Sequence, residues 1–222
     1  MKKRFLILAL LSVACVVEAQ NHTMKWLVKP DYDTIGYYSH DIFKCVKNGK
    51  IQLIDLNGRS LLPSEALADS VTDYTEGLAL VLDKKGKAYQ IKGLFTENSH
   101  DFIPVTDNLY TTYYSHFSEN LLVVADERGR QGYLDNWGRV AIRCQYKEAC
   151  PFVKGWASVE SDKGGTSYIN KREEYLTVDF HLGQLTLGTN FNEKGEALVG
   201  YYARNGQGEF VVINTNGKVV RK

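Results

Sequence analysis

The chain has 222 residues, 44% of them hydrophobic and 24% charged, with Lys plus Arg at 27 against Asp plus Glu at 26. That composition belongs to a globular protein with a real core, and it excludes a disordered tail and a polytopic membrane protein. The near-zero net charge gives no electrostatic footprint for nucleic acid or an anionic membrane.

Lys2, Lys3 and Arg4 precede the apolar stretch Phe5 to Val17, and Val17-Glu18-Ala19 sets small residues at the two positions a signal peptidase reads. The apolar stretch is 13 residues long, short of the ~20 that span a bilayer. Residues 1–19 therefore read as a secretory signal peptide, with export to the periplasm, the cell surface or the medium. Ala14-Cys15 offers an alternative lipoprotein site at Cys15. Cleavage after Ala19 leaves 203 residues with 24 basic and 25 acidic side chains, no transmembrane segment, and Cys45, Cys144 and Cys150. Three sparse cysteines are no disulfide framework. They allow one bridge, most simply Cys144 to Cys150, or three core thiols.

From residue 20 the chain reads as one domain built of repeats. Tyr74-Thr75-Glu76-Gly77-Leu78-Ala79-Leu80-Val81 recurs at Phe117 to Val124, at Phe152 to Val159, and with one insertion at Phe191 to Val199. A degenerate copy opens the series at Tyr38 to Cys45. The positions equivalent to Gly77 are 41, 77, 120, 155 and 195, so the period runs from 35 to 43 residues. Lys47-Asn48-Gly49-Lys50 and Lys84-Lys85-Gly86-Lys87 then read as hairpin tips. A second strand follows, ending on Asp or Asn: Leu53 to Gly58, Tyr133 to Gly138, Tyr168 to Asn170 and Val212 to Gly217. There a short acceptor can hold the following amides. A third run comes at Arg59 to Leu62, Arg139 to Ile142 and Lys218 to Val220.

Three short strands and a less regular fourth segment in ~40 residues fit a propeller blade or a solenoid turn. No long run has helical spacing, and Ser64 to Ala68 is the one passable helical turn. The expected fold is all-β: about five repeats of 35–43 residues forming a propeller-like ring, with an open β-solenoid as the alternative. Trp26 to Asp33 resembles the end of a unit and the C-terminus the start of that end, so the termini could complete one unit between them or residues 24–36 could cap an open stack.

These residues resemble a known family. Phe152-x-x-Gly155-x-Ala157-x-Val159, with Gly132-Tyr133-Leu134-Asp135 and its Gly turn, is similar to the WG-containing repeat of bacterial proteins. The likeness covers about residues 24–222. The Trp that precedes the Gly in family units is replaced by Gln131, and the Trp137-Gly138 pair falls in the later turn. The resemblance implies a β-rich, propeller-like interaction module without shared catalytic residues.

No Cys-x-x-Cys, His-Glu-x-x-His, Gly-x-Ser-x-Gly, Walker loop or dinucleotide fingerprint occurs. The sequence therefore offers no catalytic residue, metal site or cofactor. Asp55 and Asp135 fall at turns, and Asp83, Asp126-Glu127 and Asp162 at polar tips, so no carboxylate pair stands out for glycoside hydrolysis. Trp137, at a turn, and Trp156 are the candidate ligand-binding residues, because flat aromatic rings stack on sugars or anchor protein interfaces. The Tyr pairs 37–38, 113–114 and 201–202 should each set one ring in the core and one outside, since a strand alternates faces. The expected role is an exported, non-enzymatic module that binds a protein partner in the bacterial envelope or outside the cell. A lectin-like glycan binder is the alternative, and a glycosidase-like enzyme the weaker one.

Overall fold

The computed structural model describes residues 31–178, 185–203 and 205–222. The leader, Cys15 and the segment Trp26 to Pro30 lie outside the described residues.

The fold is all-β, with consecutive antiparallel meanders in place of the five sequence repeats. The first unit is β1 (Thr34–Ser39), β2 (Ile42–Lys47) and β3 (Lys50–Asp55). The second is β4 (Ser70–Val71), β5 (Leu78–Lys85), β6 (Ala88–Thr96) and β7 (Phe102–Pro104), and a single 3-10 turn at Ser64–Ala66 leads into it. The third holds β8 (Tyr110–Thr111), β9 (Phe117–Ser118), β10 (Leu121–Ala125), β11 (Gln131–Asp135) and β12 (Val140–Tyr146). The fourth is β13 (Glu148–Ala149), β14 (Ala157–Glu160) and β15 (Thr166–Ile169). The last is β16 (Leu185–Gly188), β17 (Glu196–Tyr202), β18 (Gly208–Asn214) and β19 (Val219–Arg221).

The units are less separate than the repeat pattern suggests. Tyr110 of β8 pairs with Gln90 of β6 on one side and Ala125 of β10 on the other, which fuses units two and three into one nine-stranded sheet. The run Arg59 to Leu62 forms only a bridge from Ser60 to Ile54, whereas the matching runs in units three and five become β12 and β19.

The turns follow local chemistry. Asn48-Gly49 closes β2 onto β3 with both residues at positive φ, which is the two-residue turn that matches strand twist. The template position next to Gly77 has the same geometry in three units: Glu76-Gly77, Glu119-Asn120 and Lys154-Gly155 all have positive φ at both residues. At the ends of the second strands, the Asp55 and Asp135 carboxylates each accept two backbone amides, at 2.8 to 2.9 Å. Asn170 and Asn214 do the same through their side-chain oxygens, and so does Asn192 in the turn that leads into β17.

Four cores lie between successive units, and alternation along the strands builds them. Leu78, Leu80 and Leu82 of β5 pack with Phe117, Leu122 and Val124 of the third unit. Ala79 and Val81 point the other way, to Ile42, Ile51 and Leu53 of the first. On β10 the alternation repeats, with Leu121 and Val123 joining Phe152, Ala157 and Val159 of the fourth unit. Tyr168 of the fourth unit meets Phe191, Ala197 and Val199 of the last. An inner strand is thus apolar on both faces, and burying both is the main stabilising term of such a stack. The strand pairs split as alternation requires, with Tyr38 and Tyr201 turned in and Tyr37 and Tyr202 exposed, and the loop pair splits likewise, with Tyr114 packed on the core and Tyr113 exposed.

Candidate interaction face

The aromatic that begins each template copy is a plug between units. The Phe152 ring meets Tyr133 of the preceding unit at 4.9 Å between centroids, and Phe191 meets Tyr168 at 4.9 Å. Each of these tyrosines also donates its hydroxyl forward, Tyr133 to the Cys150 carbonyl at 2.7 Å and Tyr168 to the Thr189 carbonyl at 2.6 Å. Burial pushes both phenols well above their ordinary pKa, so they stay neutral donors. The aromatic spaces between these units are therefore filled by the protein itself.

In the last unit, one face of the sheet is open. On β17, Ala197, Val199 and Tyr201 face the core, which turns Leu198, Gly200 and Tyr202 outward. Across the sheet Leu198 pairs with Val212, and Gly200 lies between Phe210 of β18 and Leu187 of β16. Leu187, Leu198, Tyr202 and Phe210 are 48%, 42%, 68% and 54% exposed. A contiguous apolar face of this kind on a β-sheet marks an interaction surface more often than a free one. Beside it, at Leu198, is a solvent-open pocket of about 230 Å3 bordered by Asn190, Glu196, Leu198, Val212 and Arg221. Arg221 pairs with the Glu196 carboxylate at 2.5 Å, and this ion pair forms the polar rim.

The two tryptophans do not form a common site. Trp137 is 65% exposed in the β11–β12 turn, where its amide donates to Asp135 at 2.9 Å. Trp156 is half-buried against the core between units four and five. The last-unit face escaped the sequence reading because Leu198 and Phe210 sit in ordinary strand patterns. What leaves them exposed is that no other described element packs on that side of the sheet.

Asp83 also differs from the sequence reading. It lies within β5 rather than at a tip, and its carboxylate meets Lys50 Nζ at 3.2 Å and Lys92 Nζ at 3.5 Å, with Asp69 completing the cluster 2.8 Å from Lys50. These charges are mutually neutralised and tie the first unit to the second. Cys45, Cys144 and Cys150 are free thiols, and Cys45 is fully buried. Among the described residues no three His, Cys, Asp or Glu side chains gather as a metal site, and no helix is long and apolar enough to cross a membrane.

The family model "WG containing repeat" matches residues 19–50 and 132–164. Two segments of the chain thus bear out the resemblance read from the sequence, and the second opens on Gly132. That glycine has a physical reason: a Cβ there would lie 2.5 Å from the Ile142 carbonyl oxygen of the adjoining strand. No curated protein matches the chain. Among solved structures, the chain is similar to the computationally designed Ika8 protein at 12% identity, covering 86% of this chain and 73% of that one, with a TM-score of 0.35. BamB from Moraxella catarrhalis matches at 13% identity over 82% of this chain and 60% of its own, with a TM-score of 0.35. PorZ, a surface component of the type-IX secretion system of Porphyromonas gingivalis, matches at 13% identity over 84% of this chain and 28% of its own, with a TM-score of 0.23.

Proposed function

We propose that the chain is an exported, non-enzymatic repeat module that binds another protein in the bacterial envelope or outside the cell. The observation that carries this reading is the outer face of the last unit, where Leu187, Leu198, Tyr202 and Phe210 share one exposed side of a sheet. In a stack, each inner unit hides the corresponding side under its neighbour. An apolar centre with a charged rim, here Glu196 and Arg221, is the anatomy of a protein interface. The basic start and apolar run of residues 2–17 supply the export half of the reading.

The test immobilises purified protein from the full chain and identifies what it retains from envelope and secreted fractions of the source organism. One protein should be recovered reproducibly and lost on Leu198→Glu. Hydrolytic turnover that is abolished by replacing a single carboxylate, in protein that remains folded, would overturn the non-enzymatic reading.

A further inference from the structure

We propose that Asn48 is a site of spontaneous deamidation, and that it reacts first among the Asn-Gly pairs of the folded protein. The site belongs to the first unit and does not rest on the interaction-module reading.

The chemistry is intramolecular. The backbone nitrogen of the residue after an asparagine, once hydroxide has taken its proton, attacks the side-chain carbonyl carbon. The new C–N bond closes a five-membered succinimide, the bond to Nδ2 breaks, and ammonia leaves with a proton drawn from water. Water then opens the ring at either carbonyl. One product is aspartate, and the other is isoaspartate, in which the main chain runs through Cβ. Neither an oxidant nor an enzyme is needed. A following glycine favours the step, because it has no side chain to shield its nitrogen and its backbone turns most freely.

Four such pairs occur: Asn48-Gly49, Asn57-Gly58, Asn205-Gly206 and Asn216-Gly217. They are equivalent as letters, and the structure separates them. Attack needs the peptide plane between the two residues to rotate and its nitrogen to be open to base. In three pairs the glycine N–H is tied, Gly58 to the Asp55 carbonyl at 2.9 Å, Gly206 to that of Ala203 at 2.8 Å and Gly217 to that of Asn214 at 2.9 Å. The asparagines are held too. The Asn57 and Asn216 amides donate to the Asp55 and Asn214 side chains at 2.9 and 3.0 Å, and Asn205 Oδ1 accepts the Gln207 amide at 3.0 Å. Gly217 is also buried. At Gly49, among the described residues, the N–H has no acceptor. Asn48 and Gly49 are both exposed, and a Cβ on Gly49 would meet nothing within 4 Å. Rotation there gives up no hydrogen bond at the attacking nitrogen, whereas in the other three pairs one must break first.

The products act on the hairpin. The Asn48 amide donates to Asp33 Oδ2 at 2.7 Å, so a carboxylate at this position sets like charges side by side. Isoaspartate adds a main-chain atom to a loop whose two residues fix the pairing of Lys47 with Lys50. Both changes weaken the hold of the β2–β3 tip.

The experiment keeps the full chain at 37 °C at pH 6 and at pH 8, with parallel samples in urea, and follows the four peptides by mass spectrometry. In the folded protein the Asn48 peptide should gain one mass unit and split into two isomers several-fold sooner than the other three. It should do so faster at pH 8, as a base-promoted step requires. In urea the four rates should converge, because the turns that protect three of the pairs are gone. Asn48→Gln, whose ring closure is six-membered and slow, should remove the early product and leave the other three peptides unchanged. Asn48→Asp, which copies one product, should lower the melting temperature. Reaction at Asn57, Asn205 or Asn216 as early as at Asn48, a lead for Asn48 that is undiminished in urea, or a rate indifferent to pH would overturn the proposal. An Asn48→Asp protein that melts with the wild type would overturn the effect assigned to the hairpin.

Discussion

Glu76 Oε2 accepts a hydrogen bond from the Asn120 backbone amide at 2.7 Å, across 44 residues of sequence and from one unit to the next. The other oxygen of the same carboxylate takes the Glu119 amide at 2.8 Å. Glu119 repeats the gesture one unit on, accepting the Gly155 amide at 3.1 Å, and Lys171 holds it through an ion pair at 3.2 Å. The turns at Glu119-Asn120 and Lys154-Gly155 are thereby capped by the corresponding residue of the unit before. A carboxylate that satisfies two turn amides acts as a cap does at a helix N-terminus.

Glu76→Ala should therefore destabilise the protein by ~1 kcal/mol, the usual cost of a lost cap at an exposed site. Glu76→Gln, which keeps one acceptor oxygen, should lose less. Urea unfolding of the three proteins checks the order, and equal midpoints would show that the contact adds nothing.

Two glycines separate two kinds of constraint. Gly129 has φ of 77°, but a Cβ added there would find nothing within 4 Å, so Gly129→Ala should cost only the left-handed backbone penalty, ~1 kcal/mol. Gly132 has ordinary φ, yet a Cβ would press on Ile142 and Arg143 backbone atoms at 2.5 to 2.7 Å. Backbone cannot step aside as a side chain does, so Gly132→Ala should cost more, ~3 kcal/mol, by forcing β11 from β12. Thermal unfolding of the two variants side by side tests the ranking.

Burial pushes the Cys45 thiol up to about 11, and burial with the nearby Asp126 charge does the same for Cys144. Neither should react with a thiol reagent in the native protein at pH 8, and both should react promptly in denaturant, because the thiolate is the reactive form. Since the folded pKa is the higher one, each thiol contributes stability that is complete below pH 9 and is lost as pH rises through about 11. Cys45→Ala and Cys144→Ala should accordingly flatten the fall in melting temperature over that window, and an unchanged slope would refute the assignment.

Trp137→Ala and Trp156→Ala should part company in stability. The exposed Trp137 ring should be removable within ~0.5 kcal/mol, as at other surface positions. Trp156, half-buried in the core between units four and five, should cost ~2 kcal/mol or more. Chemical denaturation measures both.

Local chemistry was legible in the sequence. Asn48-Gly49 specifies its turn because these residues adopt positive φ cheaply, and Asp55 and Asp135 specify theirs because a short carboxylate reaches the amides two and four residues on. The unbroken apolar runs of β5 and β10 were legible as strands, while the burial of both their faces follows from how the units pack. The pairing of Tyr110 with both Gln90 and Ala125, which fuses two units, carries no such mark, since a two-residue strand has no period to read. Asp83 was equally opaque: its place beside Lys50 and Lys92 depends on how two units meet.

The period follows from the order of residues alone, and so do the turns and the all-β class, because these two depend on groups a few positions apart. Which faces are used up follows from how the units pack. Leu122 and Leu198 are alike as letters, but one is buried beneath a neighbouring unit and the other is left beside an open pocket. The reason is that exposure depends on what stands across the sheet, and a strand's own residues do not encode whether another unit follows.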